Sequence, residues 1–310
     1  MPLQLSVIIP IYNEEENIQL LYDRLVSVMQ TMGVTYEFIF VNDGSRDRSI
    51  YLIKTLAEQH SEVKYVNFAR NFGHQIAVTA GLDRAKGDAI VIIDADLQDP
   101  PELIADMHAK MSEGYEVVYA RRRKRQGESW LKKQTAKYFY RILSNITSVD
   151  IPVDTGDFRI MDKRIVTELK KMPEQHKFLR GQISWIGFNQ TFIEYDRDTR
   201  HAGETGYTYS KMIRFALDGI TGFSDVPLKI VTYFGFIVTA FAFLVLAYVL
   251  ISRFIWEDYV QGWASLMITI LFIGGVQMIA VGIIGEYLSR MNANIRQRPL
   301  YIVRETNIEE

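Results

Sequence analysis

From Ile230 to Ile251, and again from Trp263 to Gly285, this 310-residue chain carries no charged side chain. Each run is roughly 22 residues, or about 33 Å of helix, enough to cross a hydrocarbon layer about 30 Å thick. The rival reading is a pair of buried core helices. Helices of this length in a soluble protein show a polar face, and neither run has one. The remaining residues must therefore fold as something held to a bilayer by a C-terminal hairpin.

The flanks orient the hairpin. Lys229 precedes the first run, and Arg290, Arg296, Arg298 and Arg304 follow the second, while the connecting loop Ser252–Gly262 sets one Arg against Glu257 and Asp258. This asymmetry places both chain ends on the cytoplasmic side of the cell membrane. Trp256, Tyr259 and Trp263 lie in or beside the loop, where interfacial aromatics belong. The start, Met1-Pro2-Leu3-Gln4, has no basic region, and the apolar stretch Leu5–Ile11 is too short for a secretion signal. A large cytosolic domain is therefore expected over 1–205, with an amphipathic juxtamembrane segment over 206–227. The two spans occupy 228–290, and 291–310 is expected to be a cytosolic tail. Gly274, Gly275, Gly282 and Gly285 give the second span a small-residue face that suits close packing, including self-association into a homo-oligomer.

Composition excludes other classes. Lys and Arg number 35 against 37 Asp and Glu, a net charge of −2, so no general basic field marks a nucleic-acid binder. There is no cysteine, which removes disulfides and thiolate chemistry.

Before the spans, short β-branched or aromatic runs alternate with helical spacing. Leu5–Ile11, Tyr36–Asn42, Val63–Phe68 and Ala89–Asp94 read as strands; Glu15–Met32 and Arg48–His60 read as helices. Glu116–Ala120 and Phe188–Tyr195 are candidate later strands. Strands apolar throughout and separated by helices predict an α/β fold, a mostly parallel sheet covered on both faces. Ligands of such sheets bind beyond the carboxyl ends of the strands.

Those ends are polar and acidic. Strand one runs into Tyr12-Asn13-Glu14-Glu15, strand two into Asp43-Gly44-Ser45, and strand four into Asp94-Ala95-Asp96. An Asp-Gly pair is also an ordinary turn, so Asp43-Gly44-Ser45 alone supports either reading. Asp94 and Asp96 say more, because two carboxylates closing an apolar strand are costly unless a cation binds. Mg²⁺ or Mn²⁺, hard cations that bridge carboxylates to phosphates, would fit. The other role open to them is capping the helix that starts at Pro100-Pro101-Glu102, for which Asp99 is better placed.

The set Val-Ile-Ile-Pro-Ile-Tyr-Asn-Glu-Glu (7–15), Val-Asn-Asp-Gly-Ser (41–45), Asn-Phe-Gly-His-Gln (71–75) and Asp-Ala-Asp-Leu-Gln-Asp-Pro-Pro-Glu (94–102) resembles family 2 glycosyltransferases of the GT-A, Rossmann-like fold. Asp157-Phe158-Arg159, the run Arg200–Gly206 and Tyr209-Ser210-Lys211 extend the likeness. With the paired spans, it points to the polyprenyl-phosphate glycosyltransferases within that family. The resemblance implies an inverting, metal-dependent transfer of a hexose from a nucleotide sugar to a polyprenyl phosphate. It implies that Pro10, Tyr12, Asn13, Glu14, Asp43, Gly44 and Ser45 surround the nucleoside. Asp96 and Gln98 would hold the metal, with Asp94 on metal or ribose. Arg200 and Lys211 would grip the acceptor phosphate, with Arg159, Arg122 and Arg123 as further candidates. Asp157 is either a base or a positioning group, since an acceptor phosphate with a second pKa near 6 is already mostly dianionic. Glucose from UDP-glucose is the expected donor; mannose, galactose, N-acetylhexosamine and aminoarabinose donors remain open.

Other features have two readings each. The run Arg121–Arg125 suits anionic lipid headgroups better than nucleic acid. Trp130–Leu143 and Tyr207–Phe223 interleave cations with apolar residues, as interfacial amphipathic helices do, though either could pack on the domain. His74 is expected to be structural, and Pro227 to set the turn into the first span. A processive polysaccharide synthase is disfavoured: the nearest string to its Gln-x-x-Arg-Trp motif is Gln182-Ile-Ser-Trp185, which lacks the Arg. A non-catalytic nucleotide-binding membrane scaffold would not need Asp94, Asp96, Arg200 and Lys211 together.

Overall fold

The computed structural model describes residues 3–123, 155–196, 222, 224–254 and 262–309. Its centre is four parallel strands, β1 (Leu5–Ile11), β2 (Tyr36–Asn42), β3 (Val63–Phe68) and β4 (Ala89–Ile92), the last two residues shorter than the sequence suggests. β1 is buried along its whole length because helices cover both faces. On one face α1 (Ile18–Met32), α2 (Ser49–Gln59) and α4 (Leu103–Ser112) pack on Val7, Ile9 and Ile11. On the other, α3 (His74–Arg84) lies so close that a Cβ on Gly81 would collide with the Ile8 side chain.

The full sheet has eight strands in the order β7-β5-β6-β4-β1-β2-β3-β8. β5 (Val117–Arg122) and β7 (Gln190–Tyr195) match the expected later strands to within a turn. Between β4 and β5 an unexpected strand, β6 (Thr155–Asp162), runs antiparallel to both. Its Thr-Gly-Asp-Phe-Arg-Ile-Met-Asp sequence hides it, because Gly156, Asp157 and Arg159 weaken any strand pattern. After it come α5 (Lys163–Lys170) and α6 (Leu179–Ile186).

Two long helices, α7 (Val226–Phe254) and α8 (Trp263–Arg296), form the hairpin. Ser224 Oγ accepts from the Val226 amide, and Pro227 occupies the first turn, where its missing N–H costs nothing. Each helix carries an apolar stretch long enough to cross a membrane, and the rest of the described fold leaves both stretches uncovered. Phe236, Phe241 and Phe243 are 69%, 66% and 67% exposed, a surface that suits lipid rather than water. The hairpin thus associates the chain with a membrane. Tyr287 donates to the Ser224 carbonyl at 2.7 Å, tying the helices together at the hairpin's open end.

α8 does not stop near Gly285 but continues about three turns further. Nor are residues 291–310 a free tail. After a left-handed Gln297 (φ 49°) the chain returns as β8 (Val303–Thr306), antiparallel to β3. Tyr301 stacks on Phe68 at 5.1 Å, and Val303 and Ile308 pack on a cluster containing Ile39, Val41 and Val66. Glu305 accepts from Lys54 Nζ and from Asn67 Nδ2, both at 2.7 Å. Trp130–Leu143, and Tyr207–Phe223 apart from Gly222, lie outside the described residues, as do Lys124 and Arg125.

Replacing Glu305 with Ala should leave the Asn67 amide without that acceptor and cost about 1 kcal/mol. A lower melting temperature of the full-length protein in detergent, partly restored by Glu305→Gln, is the expected result. An unchanged melting curve would mean that β8 adds nothing to the domain.

Candidate active site

β2 lies on one side of β1 and β4 on the other, so a crevice opens where β1 and β4 part. The last bond between them runs from the Ile93 amide to the Ile8 carbonyl at 3.1 Å. Two residues on, Pro10 faces the same way. A proline in a central strand normally wastes a ladder bond, but here β4 has ended and no partner is missed.

The loops after β1 and β2 are laced together by backbone donors and side-chain acceptors. The Asn13 amide donates to Ser45 Oγ (3.0 Å) and the Arg46 amide to Asn13 Oδ1 (2.8 Å), while the Glu14 amide donates to Ser49 Oγ (3.0 Å). Asn13 adopts the left-handed region (φ 56°), a strain these bonds compensate. Gly44 (φ 67°) also needs its missing side chain, since a Cβ would sit 2.5 Å from the Arg70 carbonyl carbon. Asp43, 3% exposed, accepts from the Phe72 amide (2.6 Å) and the Gly73 amide (2.9 Å). Burial raises its pKa, and those two amides oppose the rise. Asp43 thus pins the β3–α3 loop against the end of β2, with lone pairs left for a further donor. Tyr12 is 44% exposed, an aromatic face open to solvent.

Beyond β4, Ala95, Leu97 and Asp99 turn inward, whereas Asp94, Asp96 and Gln98 stay partly exposed. Leu97 is left-handed (φ 58°), and Asp96 Oδ1 accepts from the Gln98 amide at 3.2 Å. Asp94 Oδ1 is buried with no hydrogen-bond partner among the described residues. A carboxylate oxygen in that state suits a cation. Among the described residues no three His, Asp or Glu gather as a complete ligand set. A divalent cation held by Asp94 and Asp96 would need oxygens from elsewhere to complete its shell.

Opposite stands Asp157 on β6, whose side chain is 12% exposed. Its Oδ1 accepts from Arg180 Nε (3.0 Å) and Arg159 Nη2 (3.3 Å); its Oδ2 meets His74 Nε2 (3.0 Å) and Gln75 Nε2 (3.2 Å). Burial favours its protonation, but Arg180, His74 and Arg159 prevail and hold the carboxyl well below the usual range. His74 is the counterpart. Burial works against its charge, yet Asp94 and Asp157 outweigh that and raise it to about 9. Its Nε2 lies 3.6 Å from Asp94 Oδ1. Asp94 is raised to about 6: burial lifts it most, His74 opposes the rise, and Asp157, Asp99 and Asp96 add to it.

Several sequence expectations change here. His74, expected to be structural, meets both Asp157 and Asp94. Arg159, 1% exposed, has no surface for an acceptor phosphate; it lies beneath Asp157, donating to the Gly156 and Asp157 carbonyls. Asp99 does not cap α4, whose N-cap is Glu102 without a side-chain bond. It is buried, accepts from the Tyr195 hydroxyl, and lies 3.9 Å from Arg122 Nη2. Arg122 is thereby turned inward, while Arg123 stays 57% exposed beside Glu194 and Asp196. Arg200 and Lys211 lie outside the described residues. Arg180 is the residue that sequence reasoning missed. Its one signal was a charge entering the apolar run Phe178-Leu179-Arg180-Gly181-Gln182-Ile183.

Residues 6–170 match the family described as Glycosyl transferase family 2, and residues 226–291 match the GtrB C-terminal hairpin. The chain is 50% identical over 304 residues to the uncharacterized glycosyltransferase YkcC of Bacillus subtilis (strain 168), covering 98% of this chain and 94% of that one. It is 39% identical over 302 residues to the prophage bactoprenol glucosyl transferase homolog of Escherichia coli (strain K12), covering 97% and 99%. The crystal structure of glucosyl-3-phosphoglycerate synthase from Mycobacterium tuberculosis in complex with Mn²⁺, uridine diphosphate and phosphoglyceric acid has a similar fold. There the TM-score is 0.51 at 18% identity, over 70% of this chain and 76% of that one.

Two substitutions probe the crevice. Gly44→Ala should cost about 1–2 kcal/mol in the left-handed region and displace the β3–α3 loop, weakening donor binding about tenfold; an unchanged Kd by calorimetry would separate that loop from the donor. Arg180→Leu should slow turnover about tenfold or more, with Arg180→Lys recovering part of the loss. Equal steady-state rates for all three proteins would remove Arg180 from the site.

Proposed function

The chain belongs to glycosyl transferase family 2, and from that membership we propose that it transfers glucose from UDP-glucose to a polyprenyl phosphate, of the undecaprenyl type, at the cytosolic face of the membrane. One observation carries the reading. The likeness to a prophage bactoprenol glucosyl transferase homolog runs through 97% of the chain, hairpin included. The same acidic crevice and apolar hairpin are what a water-soluble donor and a lipid acceptor would each require.

In this reading the uridine lies over the β1 and β2 loops, against Tyr12 and Asp43, with Pro10, Asn13, Glu14, Gly44 and Ser45 shaping the pocket. The diphosphate points toward Asp94, Asp96 and Gln98. A divalent cation, Mg²⁺ or Mn²⁺, bound there would offset the charge that grows on the departing diphosphate. The neighbour solved with Mn²⁺ and uridine diphosphate is consistent with such an ion.

The acceptor oxygen attacks the anomeric carbon as the bond to the diphosphate breaks, its electron pair leaving with the nucleotide. One displacement inverts the configuration. A phosphate with a second pKa near 6 needs no deprotonation at neutral pH. Asp157, already accepting from Arg180, Arg159, His74 and Gln75 and held strongly acidic, is a poor proton acceptor. It serves as the anchor that aims Arg180 and charged His74 into the crevice. Arg200 and Lys211, close to the spans in sequence, are the proposed grip on the lipid phosphate, with Arg123 a further contact. The polar crevice would then sit at headgroup height, with anionic lipids around it and both termini in the cytoplasm.

The test is transfer of radiolabel from UDP-glucose into an organic-soluble product, using full-length protein and undecaprenyl phosphate. Chelation or Asp96→Asn should abolish transfer, and added Mg²⁺ or Mn²⁺ should reverse the chelation. Label moving from GDP-mannose or another UDP-sugar, and not from UDP-glucose, would replace the donor; no transfer from any donor would sink the enzyme reading.

A further inference from the structure

The end of α8 and the segment after it connect to both halves of the crevice, through different intermediaries. On the Asp157 side, Asn294 Oδ1, in the last turn of α8, accepts from the Gln175 amide at 3.0 Å. Gln175 lies in the connector between α5 and α6. That connector is braced on itself and on α6: Lys177 Nζ donates to the Met172 carbonyl at 2.6 Å, and Gln182 Nε2 to Glu174 Oε2 at 3.1 Å. The first turn of α6 then delivers the Leu179 amide to Gln75 Oε1 (3.2 Å) and Arg180 to Asp157 (3.0 Å). A cavity of about 420 Å³ lies between the end of α8 and this part of the domain, lined in part by Leu82, Leu169, Met172, Leu179 and Leu300, with Asn294 and Gln175 on its wall.

On the Asp43 side, the Ala69 amide donates to the Ile302 carbonyl at 2.9 Å, and Arg304 Nη2 donates to the Ala69 carbonyl at 3.3 Å. Ala69 leads directly into Arg70–Gly73, whose amides hold Asp43. Between the two, the Tyr301 hydroxyl donates to Asp83 Oδ2 and accepts from Arg84 Nη1, both at 2.8 Å. That fixes the far end of α3, the helix whose near end carries His74.

We propose that residues 294–306 form a positioning strap that couples the seating of the second membrane helix to both halves of the site: Asn294, through Gln175, sets Arg180 on Asp157, and Ile302 with Arg304, through Ala69, sets the Phe72 and Gly73 amides on Asp43. The role in turnover rests on the glycosyltransferase reading above; the mechanical link does not. Asn294 and Arg304 are positioning residues, since neither touches the crevice itself.

Full-length protein in lipid nanodiscs, carrying Asn294→Leu, Asn294→Asp or Arg304→Leu, tests this by amide hydrogen exchange and by kinetics. Asn294→Leu should raise exchange in peptides spanning 172–186 and lower kcat about twofold to tenfold, the range of one hydrogen bond, with the Kd for uridine diphosphate unchanged. Asn294→Asp keeps an oxygen acceptor and should behave as the parent. Arg304→Leu should raise exchange over 69–74 and weaken nucleotide binding by a similar factor, with kcat at saturating donor little altered. Parent-like exchange and kinetics in both Leu variants would overturn the strap. So would Asn294→Asp failing as badly as Asn294→Leu, or both Leu variants losing protection uniformly across the domain. If the unaltered protein transfers no sugar at all, the functional reading falls, and the exchange pattern still decides the strap.

Discussion

A carboxylate that is nearly buried must be met by donors, and meeting Asp157 organises this site. It draws His74 and Gln75 from the start of α3, Arg180 from the start of α6 and Arg159 from its own strand. Removing one partner from such a cluster leaves charge stranded, which costs far more than the same contact at a surface. The packing of three elements around one side chain therefore locates one wall of the crevice. It also places the cationic side of the site opposite the acidic side at Asp94 and Asp96.

The other wall is built from backbone. The loops after β1, β2 and β3 approach too closely to fold as independent turns, and they exchange amide hydrogen bonds through Asn13, Ser45 and Asp43. Two non-glycine residues in the left-handed region, Asn13 and Leu97, flank the gap where β1 and β4 diverge. Strain of that kind persists only where surrounding contacts over-determine the backbone. Hydrogen bonds within the chain hold the Asn13 loop in place, the preorganisation that electrostatic stabilisation of developing charge requires.

The membrane part belongs to the same mechanical unit. α8 runs past the apolar stretch and the chain then folds back as an edge strand, so its anchor and its sheet share a covalent and hydrogen-bonded junction. Glu305 sits between Lys54 and Asn67, and Asn67 in turn accepts from Asn42 at the end of β2 at 2.8 Å.

The sequence by itself determined the apolar hairpin, the four central strands and the acidic strand ends. Each of these depends on a local pattern: uninterrupted hydrophobicity at a bilayer's length, short β-branched runs, or carboxylates placed after them. Tertiary structure alone decided the rest. β6 and β8 are strands only because a neighbouring edge completes their hydrogen bonds, and their own residues are too polar or too few to announce it. Arg159 looked like a phosphate ligand and Arg180 like nothing in particular, because a charge's role depends on what lies within about 4 Å of it. Those neighbours come from parts of the chain that local pattern cannot bring together.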